Sequence, residues 1–488
     1  VEQVVITQAL TLRGAGFGTG IQSPEVLTAS FSYDGADYYP IVLVQQATDV
    51  TIQDLVVDGA GKGKGNARFV GVGYHNAGGT TADVEIKDVR EIPFDGAQYG
   101  SGLFVYNDDG RSRSVTVTGC DIHGFQKNGL ALKASDTTPL AVDVRGNRVQ
   151  GAGVLSYDDG DPIQNGIQIA AKLGSGAVAS NAIRGIAYDN TNDPQRYVAS
   201  SILNWNANLD IVGNQVSDGH VGLYTVGGGA RIRDNTFEVE KVGLAAFGVL
   251  ARTGWTAYGA SDTDRTTGFG YSVFGNDQLD VVPSPLGEPD AIVQGPGGTR
   301  LAGSTVDVTA SNNTVALSGS VTTDTCGIMA YAGDGPDDIA LSFKSNTVTG
   351  FGVGVEIRAC QSGCSTGVFR RVDAGYNRIS GNTIGLRSNL DDLLVDAMNN
   401  WWGCNEGPDR DGCDTIAGTG MVDANPWLVL RLAADPDLVI VDAGTSLLIA
   451  DLTYNTSGLD TSSLGHVPDG VTTTFGSTLG TVTPEAAG

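Results

Sequence analysis

Two short segments alternate along most of this chain, and they limit what it can fold into. One reads Gly-apolar-x-apolar: Gly102-Leu103, Gly129-Leu130, Gly166-Ile167, Gly222-Leu223, Gly243-Leu244, Gly327-Ile328, Gly354-Val355 and Gly385-Leu386. The other reads Asn-x-apolar, at Asn147, Asn181, Asn214, Asn235, Asn313, Asn346, Asn377 and Asn382. Within a segment apolar residues alternate with polar ones, as in Ile167-Gln168-Ile169. That is a strand's period, and each run is too short for a helix. Asn147, Asn181 and Asn214 are 34 and 33 residues apart; Asn313, Asn346 and Asn377 are 33 and 31 apart. A repeat of this length without a helical period calls for a solenoid of strands. Three short strands per coil, with Val, Ile and Leu inward, make a parallel β-helix. An Asn at one fixed turn is expected to adopt the left-handed conformation and to stack amide on amide. A propeller, the main rival, needs antiparallel hairpins, and Asn-Gly hairpins are sparse here.

Val5-x-Thr7, Leu10 to Gly14, Ile41 to Val44, Val50 to Ile52 and Leu55 to Gly59 already read as strands, and 61–68 reads as a loop. Residues 250–300 break the repeat and suggest a long excursion on one face, where function tends to concentrate. Asn399 to Pro408, with Trp401 and Trp402, and then Asn425-Pro426-Trp427-Leu428, read as the cap that a solenoid's open end requires. An aromatic carbohydrate platform is the functional alternative there. Beyond Trp427, Leu428 to Leu432, Leu438 to Val441, Leu447 to Leu452 and Val471 to Phe475 read as strands. The organisation expected is a β-helix over 1–430, with its excursion near 250–300, and an incomplete immunoglobulin-like β-sandwich over 431–488.

Glycine makes up 70 of the 488 residues and proline only 16, which suits short strands and tight turns; 41% apolar residues can supply a core. The net charge of −26 denies nucleic acid the basic face it needs and disfavours anionic membranes. It reads as solubility or salt adaptation, or as cation binding by clustered Asp. No apolar run reaches the roughly 18 residues of a membrane span. The chain opens in a strand pattern at Val1 to Ile6, so a signal peptide and a first turn of structure are expected to have preceded it. Of six cysteines, Cys360 and Cys364, and Cys404 and Cys413, form close pairs in turn-rich sequence without histidines at zinc spacing. Both pairs read as loop-closing disulfides of an oxidising compartment. Cys120 and Cys326 read as buried free thiols or as a third pair. No glycine-rich nucleotide loop is present.

Thr11-Leu12-Arg13-Gly14-Ala15-Gly16, Lys127-Asn128-Gly129-Leu130, Gln164-Asn165-Gly166-Ile167-Gln168-Ile169, the Gly-Asn-x-Val turns and Asn400-Trp401-Trp402-Gly403 carry a resemblance. Residues 1 to about 430 resemble secreted bacterial and archaeal right-handed parallel β-helix repeat proteins of the broad pectate-lyase-like superfamily. Val467 to Phe475 and Gly480 to Pro484 resemble the opening of invasin-type bacterial Ig-like domains, which are linkers and stalks of surface proteins. The first resemblance implies that any enzyme activity would be that of a polysaccharide lyase, with an Arg or Lys base and often Ca²⁺ held by Asp, or of a glycoside hydrolase with paired Asp.

Asp108-Asp109 follow the strand Leu103 to Tyr106. Asp158-Asp159-Gly160-Asp161 fill the turn before Gln164-Asn165-Gly166, and His123, Lys127 and Lys133 lie between them in sequence. Neighbouring coils are expected to bring these groups towards one surface, making Asp108, Asp109, Asp158, Asp159, Asp161 and Lys133 the catalytic candidates. Asp158, Asp159 and Asp161 are the Ca²⁺ candidates. The plainer reading is turn Asp residues bonded to backbone amides. Asp262, Asp264 and Arg265 in the excursion are a weaker cluster. The hydrolase signatures Asn-Thr-Asp, Gly-His-Gly and Arg-Ile-Lys are absent, and the four histidines are scattered. The function expected is therefore that of a secreted or cell-surface structural or adhesive β-helix. Its partners would be an extracellular glycan or further copies of itself, joined head to tail by strand complementation. The alternative is a lyase or hydrolase working in a cleft on the helix face.

Overall fold

The computed structural model describes residues 1–16, 18–194, 197–242, 246–253, 305–322, 324–332, 338–359, 369–437, 444–471, 473–477 and 481–483. Three parallel strands make each coil. The first face is a 14-stranded sheet in which Val4–Ile6, Ala36–Gln45, Phe69–His75, Ser101–Asn107, Asn128–Ala134, Asn165–Ala170 and their successors to Ile416–Ala417 pair in chain order; only Phe31–Tyr33 joins it antiparallel. A second sheet supplies the other two faces, as in Leu140–Arg145 followed by Arg148–Ser156. Val50–Asp58 and Gly79–Lys87 cross both of these faces, bending at Asp54 (φ 56°) and Asp83 (φ 51°). The fold is an all-β parallel β-helix.

The core follows from register. On the first face Leu130, Ile167, Ile202, Leu223, Val249, Ile328, Val355 and Leu386 oppose one another from coil to coil. Each is at most 2% exposed. One buried cluster runs from Ile6 to Trp402. Burying one such side chain contributes about 1.5–3 kcal/mol.

The recurring asparagines form the expected ladder, shifted in one detail. The Nδ2 of Asn147, Asn181, Asn214, Asn235, Asn313, Asn346 and Asn377 each donates to the Oδ1 of the next Asn, ending on Asn400. The left-handed residue is the one before the Asn: Gly146, Ser180, Gly213, Asp234, Asn312, Ser345, Tyr376 and Asn399 have φ between 55° and 64°. That residue makes the corner and leaves the amide free to point inward. Asn382 is not a rung; it bonds Asp414 at another corner. Asn235 and Asn313 are adjacent rungs although 78 residues apart, so the chain between them leaves one coil and returns to register. Most of the excursion expected at 250–300, with Asp262, Asp264 and Arg265, lies outside the described residues.

Trp402 is fully buried and closes the end of the core, while Trp401 (7% exposed) packs on Leu428 and Val467. Both indoles are covered, which supports the cap; Trp427 beside them is half-buried. Cys404 and Cys413 are joined as a disulfide. Cys120 and Cys326 are buried free thiols rather than a third pair; Cys360 and Cys364 lie outside the described residues. Beyond the cap, Leu428–Asp435 and Leu447–Asn455 form a two-stranded antiparallel sheet. Val471 and residues 473–475 have no strand conformation, and 438–443 lie outside the described residues.

Candidate functional site

The acidic candidates fall at opposite ends of the first-face strands. Asp108 and Asp109 follow Ser101–Asn107, whereas Asp158, Asp159 and Asp161 precede Asn165–Ala170. A strand of this length separates its ends by roughly 20 Å, so the two clusters do not form one acid–base pair. Most of these carboxylates already serve the local backbone and side chains. Asp109 takes both terminal nitrogens of Arg113, at 2.5 and 2.7 Å. The hydrogen bond from Arg113 is the main reason its carboxyl is pulled down to about 2. Asp108 accepts from Asn76 Nδ2 at 2.7 Å, and Asn76 Oδ1 accepts the Asp108 amide. Asp158 accepts from Asn192 at 2.7 Å and Asp161 from the Ser156 amide at 3.2 Å, while Asp159 is exposed. Among the described residues, three possible metal ligands come within 4.8 Å of one another only at Cys404, Glu406 and Cys413, where the sulfurs are already bonded together. His123 pairs with Glu85 on the third face at 3.2 Å, and the buried Lys127 donates to the Ile163 carbonyl.

Lys133 leads to a different arrangement. On the outward side of the first face, Gln45, His75, Tyr106 and Lys133 occupy matching positions in four successive coils. The hairpin of Phe31–Tyr33 and Ala36–Gln45 folds over them and supplies Tyr33 and Tyr38. The Lys133 ammonium lies 5.0 Å from the Tyr33 ring centre and 5.6 Å from that of Phe104, with Nζ donating to Tyr33 Oη at 3.4 Å. Tyr33 meets Tyr106 edge-on at 4.6 Å, and His75 stacks on Phe31 at 5.1 Å. Lys133 itself is 2% exposed, but Gln45, His75 and Tyr106 remain partly accessible, with Asp34 and Asp108 at the margin. Burial holds His75 below its usual pKa, against the pull of Asp108 and Asp109. Burial, then Asp108 and Asp34, push Tyr106 upward, with Lys133 opposing. The result is a shelf of aromatic rings with hydroxyl, imidazole and amide groups on its rim.

No family model, curated protein or solved structure matches this chain.

Sequence reasoning placed Lys133 on this face but missed His75, Tyr106, Tyr33 and Gln45. For His75 and Tyr106 the available signal was that, like Lys133, each stands four residues after a glycine of the Gly-apolar kind, Gly71, Gly102 and Gly129; Gln45 and Tyr33 carry no such mark. It also missed Glu91, Asp95 and Gln126, which come together at the loop edge of the same face. Gln164 and Asn165 are structural: Gln164 bonds the Phe125 carbonyl and the Ala152 amide, and Asn165 donates to Asn128. Gln168 faces outward between Ala131 and Leu203 and is fully covered, with neither amide atom bonded.

Proposed function

We propose that this chain is a rigid, secreted or surface-displayed β-helix that binds glycan on its first face. The observation that carries this reading is the shelf of Tyr33, His75 and Tyr106 backed by Lys133. A sugar ring presents an apolar face and a hydroxylated edge, and aromatic rings with a polar rim complement both. The stacked coils hold His75, Tyr106 and Lys133 one per turn at a fixed spacing of about 4.8 Å, with Tyr33 brought in by the hairpin, so little ordering is needed on binding. The disulfide at Cys404–Cys413 is consistent with an oxidising compartment. Asp108, Asp109, Asp158 and Asp161 are tied to Asn76, Arg113, Asn192 and backbone, which favours structural roles for them.

A lyase reading draws on one specific feature. Lys133 and Tyr106 place a cation beside a phenol, the pair needed to neutralise a uronate carboxylate and accept a proton. A screen of acidic and neutral oligosaccharides, with and without Ca²⁺, separates the two. Glycan retention without new reducing or unsaturated ends supports binding; product formation abolished by Tyr106→Phe supports the lyase; no retention of any glycan rejects both.

A further inference from the structure

The acceptor pattern for an N-linked glycan, Asn-x-Ser/Thr with x other than Pro, occurs twice in this chain, at Asn312-Asn313-Thr314 and at Asn455-Thr456-Ser457. The fold treats the two in opposite ways. Asn455 is 1% exposed. Its Nδ2, the atom that would carry the sugar, donates to Asn399 Oδ1 at 2.9 Å. Its Oδ1 accepts the amides of Ser457 and Leu459, each at 3.1 Å, and the Ser457 hydroxyl at 2.7 Å. A glycan on that nitrogen would break this set of bonds and has no room in the covered site.

Asn312 stands at a corner of the asparagine ladder, between Thr305–Ser311 and Thr314–Ser318, with φ 55°. The ladder explains why it faces water. Asn313 turns its amide inward, where Nδ2 donates to Asn346 Oδ1 at 2.9 Å, and the residues on either side are left facing solvent. Asn312 and Thr314 are both exposed, and neither side chain bonds another described residue. This corner lies where the second and third faces meet, away from the shelf on the first. Neighbouring corners share the geometry but lack the pattern. Asp234 and Ser345 are each followed two residues on by Thr but are not Asn, and Asn399 is followed there by Trp401.

We propose that Asn312 is an N-glycosylation site, presented to its transferase by the ladder corner. The donor is an oligosaccharide carried on a lipid diphosphate. Asn312 Nδ2 attacks the anomeric carbon, and the bond from that carbon to the diphosphate oxygen breaks. The lipid diphosphate leaves with the electron pair, and the amide proton passes to a base of the transferase. The attached glycan is bulky and solubilising, and it projects into water without displacing a contact. The modification rests on the reading of this chain as secreted or surface-displayed, because such transferases act on exported chains.

The test supplies the export, so a missing glycan counts against the site and not against that reading. The full chain is exported behind a cleavable leader from a eukaryotic host. The folded, secreted protein is then mapped by mass after enzymatic release of glycan in heavy-oxygen water, which leaves a labelled Asp at every Asn that was used. The wild type carries a glycan at Asn312 and none at Asn455. Thr314→Val loses it although Asn312 is intact, and Thr314→Ser keeps it. Asp234→Asn combined with Thr314→Val moves the glycan to the equivalent corner one coil away, since Asn235 and Asn313 are adjacent rungs. An unmodified Asn312 in the secreted wild type overturns the proposal. So does a glycan at Asn455 in that protein, or a secreted double variant without a glycan at residue 234.

Discussion

The Asp109 carboxylate is fixed by Arg113, a guanidinium whose side chain is only 5% exposed. Because the folded pKa of Asp109 is lowered, its contribution to stability is complete above the ordinary carboxylate value of 3.8 and is lost as pH falls towards about 2. Asp109→Asn is expected to cost about 1–3 kcal/mol at neutral pH, because it leaves a covered charge without its partner. It should also flatten the acid limb of a stability–pH curve between those two values; an unchanged acid limb would mean that the pair contributes nothing. Asn214 makes the second residue-scale case. Its Oδ1 accepts the Asn181 amide at 3.1 Å and its Nδ2 donates to the Val178 carbonyl at 2.9 Å. Asn214→Ala strands both buried backbone groups at about 1–3 kcal/mol each, measurable as a lower urea midpoint with unchanged slope. The ladder was legible because its spacing is written in the sequence. The left-handed position was less so, since Gly, Ser, Asp, Asn and Tyr all fill it and share no chemical signature.

At the scale of elements, the coils were readable from alternation and spacing, because inward Val, Ile and Leu recur at fixed offsets. The shelf was not. Its outward rings are partly covered by the hairpin of Phe31–Tyr33 and Ala36–Gln45, which packs on Phe104 and Ala131 from far away in sequence. Alternation alone cannot tell an outward face that is covered from one that is wet. The two acidic clusters lie apart for a related reason: turns at the two ends of a strand look alike in sequence but are a strand length apart, so Asp108 and Asp109 share their end of the face with Lys133 while Asp158, Asp159 and Asp161 do not. The cap could be read from its paired tryptophans, and it gives a prediction. Trp402→Ala removes the ring that closes the core and is expected to destabilise the chain by about 3–5 kcal/mol. Its thermal midpoint should drop accordingly, whereas Leu394→Ala, at a half-exposed leucine, should leave it nearly unchanged.

For the molecule as a whole, the rod and its end sheet bear on assembly. In the sheet of Leu428–Asp435 and Leu447–Asn455, Leu432, Leu447 and Ile449 are 65%, 51% and 46% exposed. A two-stranded sheet with apolar residues in water is a surface that pairs readily. If copies associate through it, light scattering shows a mass that rises with concentration, and Leu432→Asp with Ile449→Lys holds the chain monomeric; a wild-type mass that stays monomeric across that range excludes the association. The central claim, a first face that binds glycan on fixed aromatic rings, is tested most directly by calorimetric titration of the best-retained oligosaccharide into wild type, Tyr106→Ala and Asp159→Asn. Binding should weaken about tenfold or more in Tyr106→Ala at an unchanged melting temperature, stay unchanged in Asp159→Asn, and leave the oligosaccharide intact. Equal affinity in wild type and Tyr106→Ala, or a cleaved ligand, would contradict the account.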